Sequence, residues 1–175
     1  MKFLRSILIL FSLMIFSSGI SSAESKILVA YFSHSGSTQS VAEEISNLTG
    51  ADLFRIVEVD TYPSVYKECT DRASREVAEN ARPSIRDQVQ NFDEYDTIFI
   101  GYPIWWYNAP MIIDTFLESY DFSGKTIIPF CTSGGSPIGV SIDKIRLHCP
   151  NSKVLDGLTA NDRSKIAPWI QSLGF

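Results

Sequence analysis

"ILVAYFSHSGSTQSVAEEI", Ile27 to Ile45, changes character twice. Residues 27–32 are apolar and rich in β-formers, the composition of a strand covered on both faces. A hydroxyl-rich loop around Gly36 follows. Val41, Ile45 and Leu48 then recur at helical spacing, and Gly50 stands where a helix would stop. Strand, polar loop and helix in that order begin a βα unit.

The same alternation runs on downstream. Residues 53–59 alternate well enough for a second strand, and the charged stretch 64–81 is expected to be helical until Pro83 ends it. A third apolar run covers 97–100, and Pro110 opens a helix carrying Met111, Ile112, Phe116 and Leu117. A fourth strand is expected over 126–130, a helix over 140–148 and a brief last strand over 153–155. Ile166, Ile170 and Leu173 mark a terminal helix with Pro168 in its first turn. Five strand–helix units predict a parallel sheet with helices on both faces, in one domain over 24–175. Ligands of such sheets bind beyond the carboxyl ends of the strands, where the strand order reverses. The loops after strands one, three and four are therefore the ones to read for function.

The N-terminus reads as a separate segment. Lys2 and Arg5 precede an apolar run over 7–16, and Ser21 and Ala23 fit a small-x-small cleavage site. The run is well short of the roughly 20 apolar residues a membrane span needs. Residues 1–23 are thus expected to be a signal peptide cut near Ala23, leaving an exported chain, periplasmic or extracellular, without a stable membrane anchor. The formal charge of −5 deepens by two when Lys2 and Arg5 leave, which argues against nucleic-acid partners. Cys69, Cys131 and Cys149 are an odd set whose spacing excludes a C-x-x-C redox pair and the usual zinc patterns. They are expected to be mostly buried and structural.

After strand one, Ser33, Ser35, Ser37 and Thr38 offer hydroxyls, and Gly36 lets backbone amides turn toward a ligand. The next helix points its unsatisfied N–H groups and positive dipole end at the same place. Hydroxyls without Lys or Arg suit a phosphate monoester held by hydrogen bonds. The nucleotide P-loop needs a lysine that is absent here, and G-x-G-x-x-G is absent too. A plainer account of the same residues is that Ser37 or Thr38 caps the helix. His34 is read as a solvated loop histidine.

After strand three comes "PIWWYN", and after strand four "TSGGS". Three consecutive aromatics cannot all face one side of a strand or helix, so some of Trp105, Trp106 and Tyr107 must serve something other than the core. A plainer account packs one tryptophan under a helix and lays the other over apolar surface. Phosphate cradle, aromatic wall and glycine wall together suit a flat, conjugated, phosphorylated ligand. No Ser-His-Asp set or paired carboxylate calls for a protein nucleophile or acid, and no metal site is expected.

Two stretches, "ILVAYFSHSGSTQSVAEEI" and "DTIFIGYPIWWYNAPMIIDTFLESYDFSGKTIIPFCTSGG", carry a resemblance. The first resembles the S/T-x-S/T-G-x-T phosphate loop of the flavodoxin-like FMN-binding proteins. The second is similar to a branch with G-x-P-I-W-W before a helix and T-S-G-G after strand four. The resemblance spans the mature chain. It implies a three-layer α/β sandwich around a five-stranded parallel sheet of order 2-1-3-4-5, holding FMN non-covalently. It assigns Ser33, Ser35, Gly36, Ser37 and Thr38 to the phosphate. Pro103, Ile104, Trp105, Trp106, Tyr107 and Asn108 fall to one side of the isoalloxazine, and Thr132, Ser133, Gly134 and Gly135 to the other. Two features depart from the family: the second ring-flanking loop, 132–137, has no aromatic residue, and the chain carries an export signal. The implied function is an exported FMN redox protein serving a partner protein or a small acceptor such as a quinone. The alternatives are an NAD(P)H-dependent FMN quinone reductase and a non-enzymatic module on the same fold.

Overall fold

In the computed structural model, residues 26–175 are described; the expected signal peptide, 1–23, lies outside them. The apolar run of the first βα unit forms β1, Lys26–Tyr31. Its side chains alternate as a doubly covered strand requires. Leu28 and Ala30 enter one core with Phe32, while Val29 and Tyr31 enter the other. The chain continues through α1 (Ser37–Thr49), β2 (Asp52–Arg55), α2 (Tyr66–Ala78), β3 (Tyr95–Pro103), α3 (Met111–Glu118), β4 (Thr126–Thr132) and α4 (Gly139–His148). It finishes with β5 (Lys153–Val154), β6 (Leu158–Thr159) and α5 (Ile166–Ser172).

All strand pairs are parallel, in the order β2-β1-β3-β4-β5, with β6 also on β4. That is the expected 2-1-3-4-5 sheet with a sixth strand added. Val41, Ala42 and Ile45 of α1 and Ile166 and Ile170 of α5 close one face. Cys69 of α2, Ile112 and Phe116 of α3, and Ile142 and Ile145 of α4 close the other. The strand order reverses between β1 and β3, so the loops after β1, β3 and β4 share the carboxyl edge at the switch point.

Three elements differ from expectation, each for a local reason. β2 stops at Arg55 because the chain changes partner. The Ile56 N–H still reaches Tyr31 O at 2.7 Å, but Arg86 N then donates to Val57 O and Val59 N to Ser84 O, at 2.8 and 2.9 Å. The alternation over 57–59 is real, yet it serves an antiparallel bridge, Glu58 to Ile85. α2 ends before 81 because Asn80 turns left-handed at φ 48°. Asn80 N then bonds Val77 O and Ala81 N bonds Glu76 O, a Schellman closure with asparagine in the glycine position.

The last strand is longer than 153–155 and split by a proline. Leu155 N donates to Ile127 O at 2.9 Å and Ala160 N to Cys131 O at 2.7 Å. Pro129, between those acceptors, has no N–H to offer the ladder. The chain detours there, with Gly157 so close that a Cβ would lie 2.4 Å from Pro129 O.

All three cysteines are free and buried. Burial pushes the Cys131 and Cys149 thiols up to about 11. Among the described residues, no helix is long and apolar enough to cross a membrane, and no His/Cys/Asp/Glu group is placed to hold a metal.

Candidate functional site

The loop after β1 is closed by a residue that the sequence did not single out as its clasp. Ser33 is buried, and its Oγ accepts hydrogen bonds from Gly36 N and Gln39 N, both at 3.2 Å. Gly36, left-handed at φ 91°, is the residue that caps α1, and it does so without a side chain. Neither Ser37 nor Thr38 caps the helix; the one hydroxyl that takes a first-turn amide of α1 is that of Ser33, so the plainer capping account holds for a different serine than expected. The Ser37 hydroxyl pairs with that of Ser35 at 3.3 Å, and Thr38 Oγ1 pairs with Thr132 Oγ1 of β4 at 2.9 Å. The backbone N–H groups of Ser35, Ser37 and Thr38 find no acceptor among residues 26–175. They stand at the positive end of α1, the arrangement that binds anions.

After β3 the chain makes a two-residue turn. Trp105 N donates to Asn108 O at 2.8 Å and Asn108 N returns to Trp105 O at 3.0 Å. Both central residues are left-handed, Trp106 at φ 48° and Tyr107 at φ 64°. That is the I′ pattern, which strongly prefers Asn-Gly. Two bulky aromatics there cost roughly 1–2 kcal/mol each in backbone strain.

The geometry separates the three aromatics. Trp105 folds inward and meets Tyr62 at 5.0 Å, Phe32 at 5.5 Å and His34 at 5.7 Å between ring centroids, all edge to face. Trp106 is half-exposed at 52% and leans on α2, its Nε1–H donating to Thr70 O at 3.2 Å. Tyr107 is 73% exposed. Tyr62 is itself pinned from behind. Its hydroxyl donates to Glu76 Oε2 at 2.7 Å, and the Arg72 guanidinium stacks 4.1 Å above its ring. Burial, reinforced by Glu76, raises the Tyr62 hydroxyl pKa far above the ordinary tyrosine value.

The loop after β4 is tied on both sides. Ile104 N donates to Thr132 O at 2.8 Å, joining it to the aromatic turn that runs from Pro103. On the other flank Asn161 grips Ser133 twice: Ser133 N donates to Asn161 Oδ1 at 2.9 Å, and Asn161 Nδ2 to Ser133 O at 2.7 Å. Gly135 N closes on Ser133 Oγ at 3.1 Å, with φ 143° that only glycine adopts readily. A Cβ added at Gly134 or Gly135 would meet nothing within 4 Å, so this wall borders open space.

The structure thus brings all the sequence-assigned residues to one edge, in three cross-tied loops. Sequence reasoning missed the braces: Tyr62 behind Trp105, Asn161 beside Ser133, and Arg55, whose Nη2–H donates to Ser33 O at 3.3 Å. Asn161 follows β6, and recognising that strand would have put its loop on the same edge.

A family model described as Flavodoxin matches residues 26–173. The chain belongs to the flavodoxin family. Two crystal structures from Bacteroides, each titled a "putative flavoprotein", are similar to this flavodoxin. The Bacteroides eggerthii protein is 39% identical, with TM-score 0.78, over 87% of this chain and 99% of that one. The Bacteroides uniformis protein is 35% identical, with TM-score 0.77, over 84% of this chain and 98% of that one. A Lactobacillus acidophilus flavoprotein solved in complex with FMN shares the fold at 23% identity and TM-score 0.70, over 82% of this chain and 99% of that one. No curated protein matches the chain.

Proposed function

We propose that this flavodoxin is an exported protein that binds FMN non-covalently between its three loops and transfers electrons through it. The observation that carries the proposal is the donor set of the first loop: the N–H groups of Ser35, Ser37 and Thr38, unpartnered within residues 26–175, at one helix N-terminus. A phosphate monoester fits those donors, and FMN ends in one. The Bacteroides relatives, flavoproteins by title at 39% and 35% identity, support the same cofactor class.

Bound FMN supplies the electron chemistry, and the chain supplies binding and orientation. Ser35, Gly36, Ser37 and Thr38 hold the phosphate, while Ser33 keeps their loop closed from beneath. Trp105, braced by Tyr62, fixes the base of the aromatic wall, and Trp106, Tyr107 and Asn108 extend it. Thr132, Ser133, Gly134 and Gly135 form the facing wall. No protein nucleophile is required, and the thiol of Cys131, next to Thr132, stays protonated near neutral pH because burial raises it to about 11.

A second reading has one observation in its favour. The loop 132–137 has no aromatic residue to cover a bound ring on its side, and an NAD(P)H-dependent quinone reductase needs one ring face uncovered. The electron acceptor is then a quinone rather than a partner protein. In either case the negative net charge disfavours nucleic acid.

Titration of the purified chain with FMN tests the proposal, read by flavin fluorescence. Saturable one-to-one quenching is expected; a chain that ignores FMN refutes the proposal, leaving a binding module for another ligand. Steady-state NAD(P)H oxidation with benzoquinone then separates reductase from carrier. Cell fractionation checks export, and retention in the cytoplasm with residues 1–23 intact argues against it.

A further inference from the structure

The cradle has hydrogen-bond donors but no cationic side chain from Lys or Arg within its own loop. A phosphate monoester carries about −1.5 to −2 charges near neutral pH, and a helix N-terminus offers roughly half a positive charge. Hydrogen bonds position such a group without neutralising it. The surroundings make the deficit worse, since α1 carries Glu43 and Glu44 beyond its first turn and the whole chain is negative. Arg163 pairs with Glu44 and so cancels only that charge.

One guanidinium reaches the loop from outside it. Arg55 is the last residue of β2, in register with Tyr31 of β1, so its backbone flanks the point where β1 opens into the cradle. Its side chain folds across that boundary and donates Nη2–H to Ser33 O at 3.3 Å. A guanidinium has five N–H donors, and this bond uses one of them. Among the described residues no carboxylate lies within 4.0 Å of it; Arg75 and Arg86 also lack an ion pair but do not bond the cradle, while Arg72, Arg82, Arg146 and Arg163 are held in ion pairs. An arginine left without a carboxylate, beside a cradle of unpartnered amides, is matched to an anion.

We propose that Arg55 supplies the positive charge missing from the phosphate loop and makes the site select a phosphorylated flavin over the unphosphorylated one. The inference rests on the FMN reading above. The Ser33 carbonyl holds the guanidinium at the rim of the cradle, while the amides of Ser35, Ser37 and Thr38 read the phosphate oxygens. Because Arg55 is exposed, its charge is screened by salt, and its contribution is greatest in dilute buffer.

The experiment compares the full chain with Arg55→Gln and Arg55→Lys. Dissociation constants for FMN and for riboflavin are measured by flavin fluorescence at low and high salt. With Arg55→Gln, FMN affinity should fall about tenfold at low salt, the yield of one charge-assisted contact. Riboflavin affinity should stay within about twofold, and the salt dependence of FMN binding should flatten. Arg55→Lys should recover most of the loss, because it restores charge without the forked geometry. Unchanged FMN affinity in Arg55→Gln overturns the inference. So does an equal loss for both flavins, which means that Arg55 merely shapes the loop through Ser33. If the unaltered chain binds neither flavin, the FMN reading fails first and Arg55 with it. If it binds both equally, the FMN reading survives and selection by Arg55 does not.

Discussion

Tyr107 offers a direct test of whether the aromatic turn is built against its own stability. Its side chain is 73% exposed and its backbone sits at φ 64°. Removing the side chain while keeping a Cβ, as Tyr107→Ala, should change stability by no more than about 0.5 kcal/mol, as for an exposed surface site. Tyr107→Gly removes the same side chain and the Cβ clash as well. Left-handed backbone costs a non-glycine residue roughly 1–2 kcal/mol. Glycine gives back about 0.4–1 kcal/mol of that through its freer unfolded state. The glycine variant should therefore exceed the alanine variant by about 0.5–1 kcal/mol. For a domain of this size that is roughly 1–4 °C in Tm.

The assay is thermal unfolding of both apo variants beside the unaltered chain, followed by FMN titration of each. Both variants should lose FMN affinity by a few fold, since one aromatic contact is worth about 0.5–1.5 kcal/mol. A glycine variant that melts no higher than the alanine variant refutes the claim of strain. Full FMN affinity in both variants refutes the claim that the strain serves the site.

Two further outcomes follow from the same geometry. Trp105→Ala should cost about 3 kcal/mol of stability, because it empties the space between Phe32, His34 and Tyr62. Trp106→Ala should stay within about 1 kcal/mol and instead weaken FMN binding; melts and titrations that reverse these roles would overturn the assignment. At acid pH, the bidentate grip of Arg82 at 2.7 Å holds the Glu118 carboxyl below the ordinary glutamate range. A lowered folded pKa stabilises above the unfolded value and is lost as pH falls through the folded one. The stability gap between the unaltered chain and Glu118→Gln should therefore be full near pH 7 and begin to shrink as pH falls below about 4, the unfolded carboxylate value. A gap that does not shrink on acidification below about pH 4 in urea unfolding contradicts the pairing.

The legible parts of this molecule are those whose neighbours do not matter. Residues 27–32, 97–100 and 126–130 are buried on both faces whatever packs on them, so uniform apolarity identified them as strands. The hydroxyl loop was readable as a candidate anion site because a strand, a glycine and a helix start are local features. What stayed hidden depends on distant partners. Alternation at 57–59 looks the same whether the partner is β1 or the segment around Ile85. Asn161 meets Ser133 across 28 positions and Arg55 meets Ser33 across 22, and neither carries a local signature. The fates of Trp105, Trp106 and Tyr107 were unreadable for another reason. They follow from two positive φ angles that sequence preference argues against.

The ties among the three loops bear on what binding has to accomplish. Thr38 is joined to Thr132, Ile104 to Thr132, Trp105 to Asn108 and Ser133 to Asn161. The base of the site is therefore held by bonds within the chain itself. The untied groups are those that the proposed site assigns to the flavin: the amides of Ser35, Ser37 and Thr38, the exposed Tyr107, and the open flank of Gly134 and Gly135. The walls are also unequal, aromatic and braced on one side, small and open on the other. An electron carrier needs only an exposed ring edge, whereas hydride transfer needs a second planar molecule over one ring face. An open wall permits both, but a carrier gains nothing from the space. The glycine loop is thus the place to separate the two functions. A bulky residue at Gly134, whose Cβ position is free, should be read by FMN titration before quinone turnover: lost turnover with FMN still bound assigns the space to the acceptor, whereas lost FMN binding assigns it to the flavin.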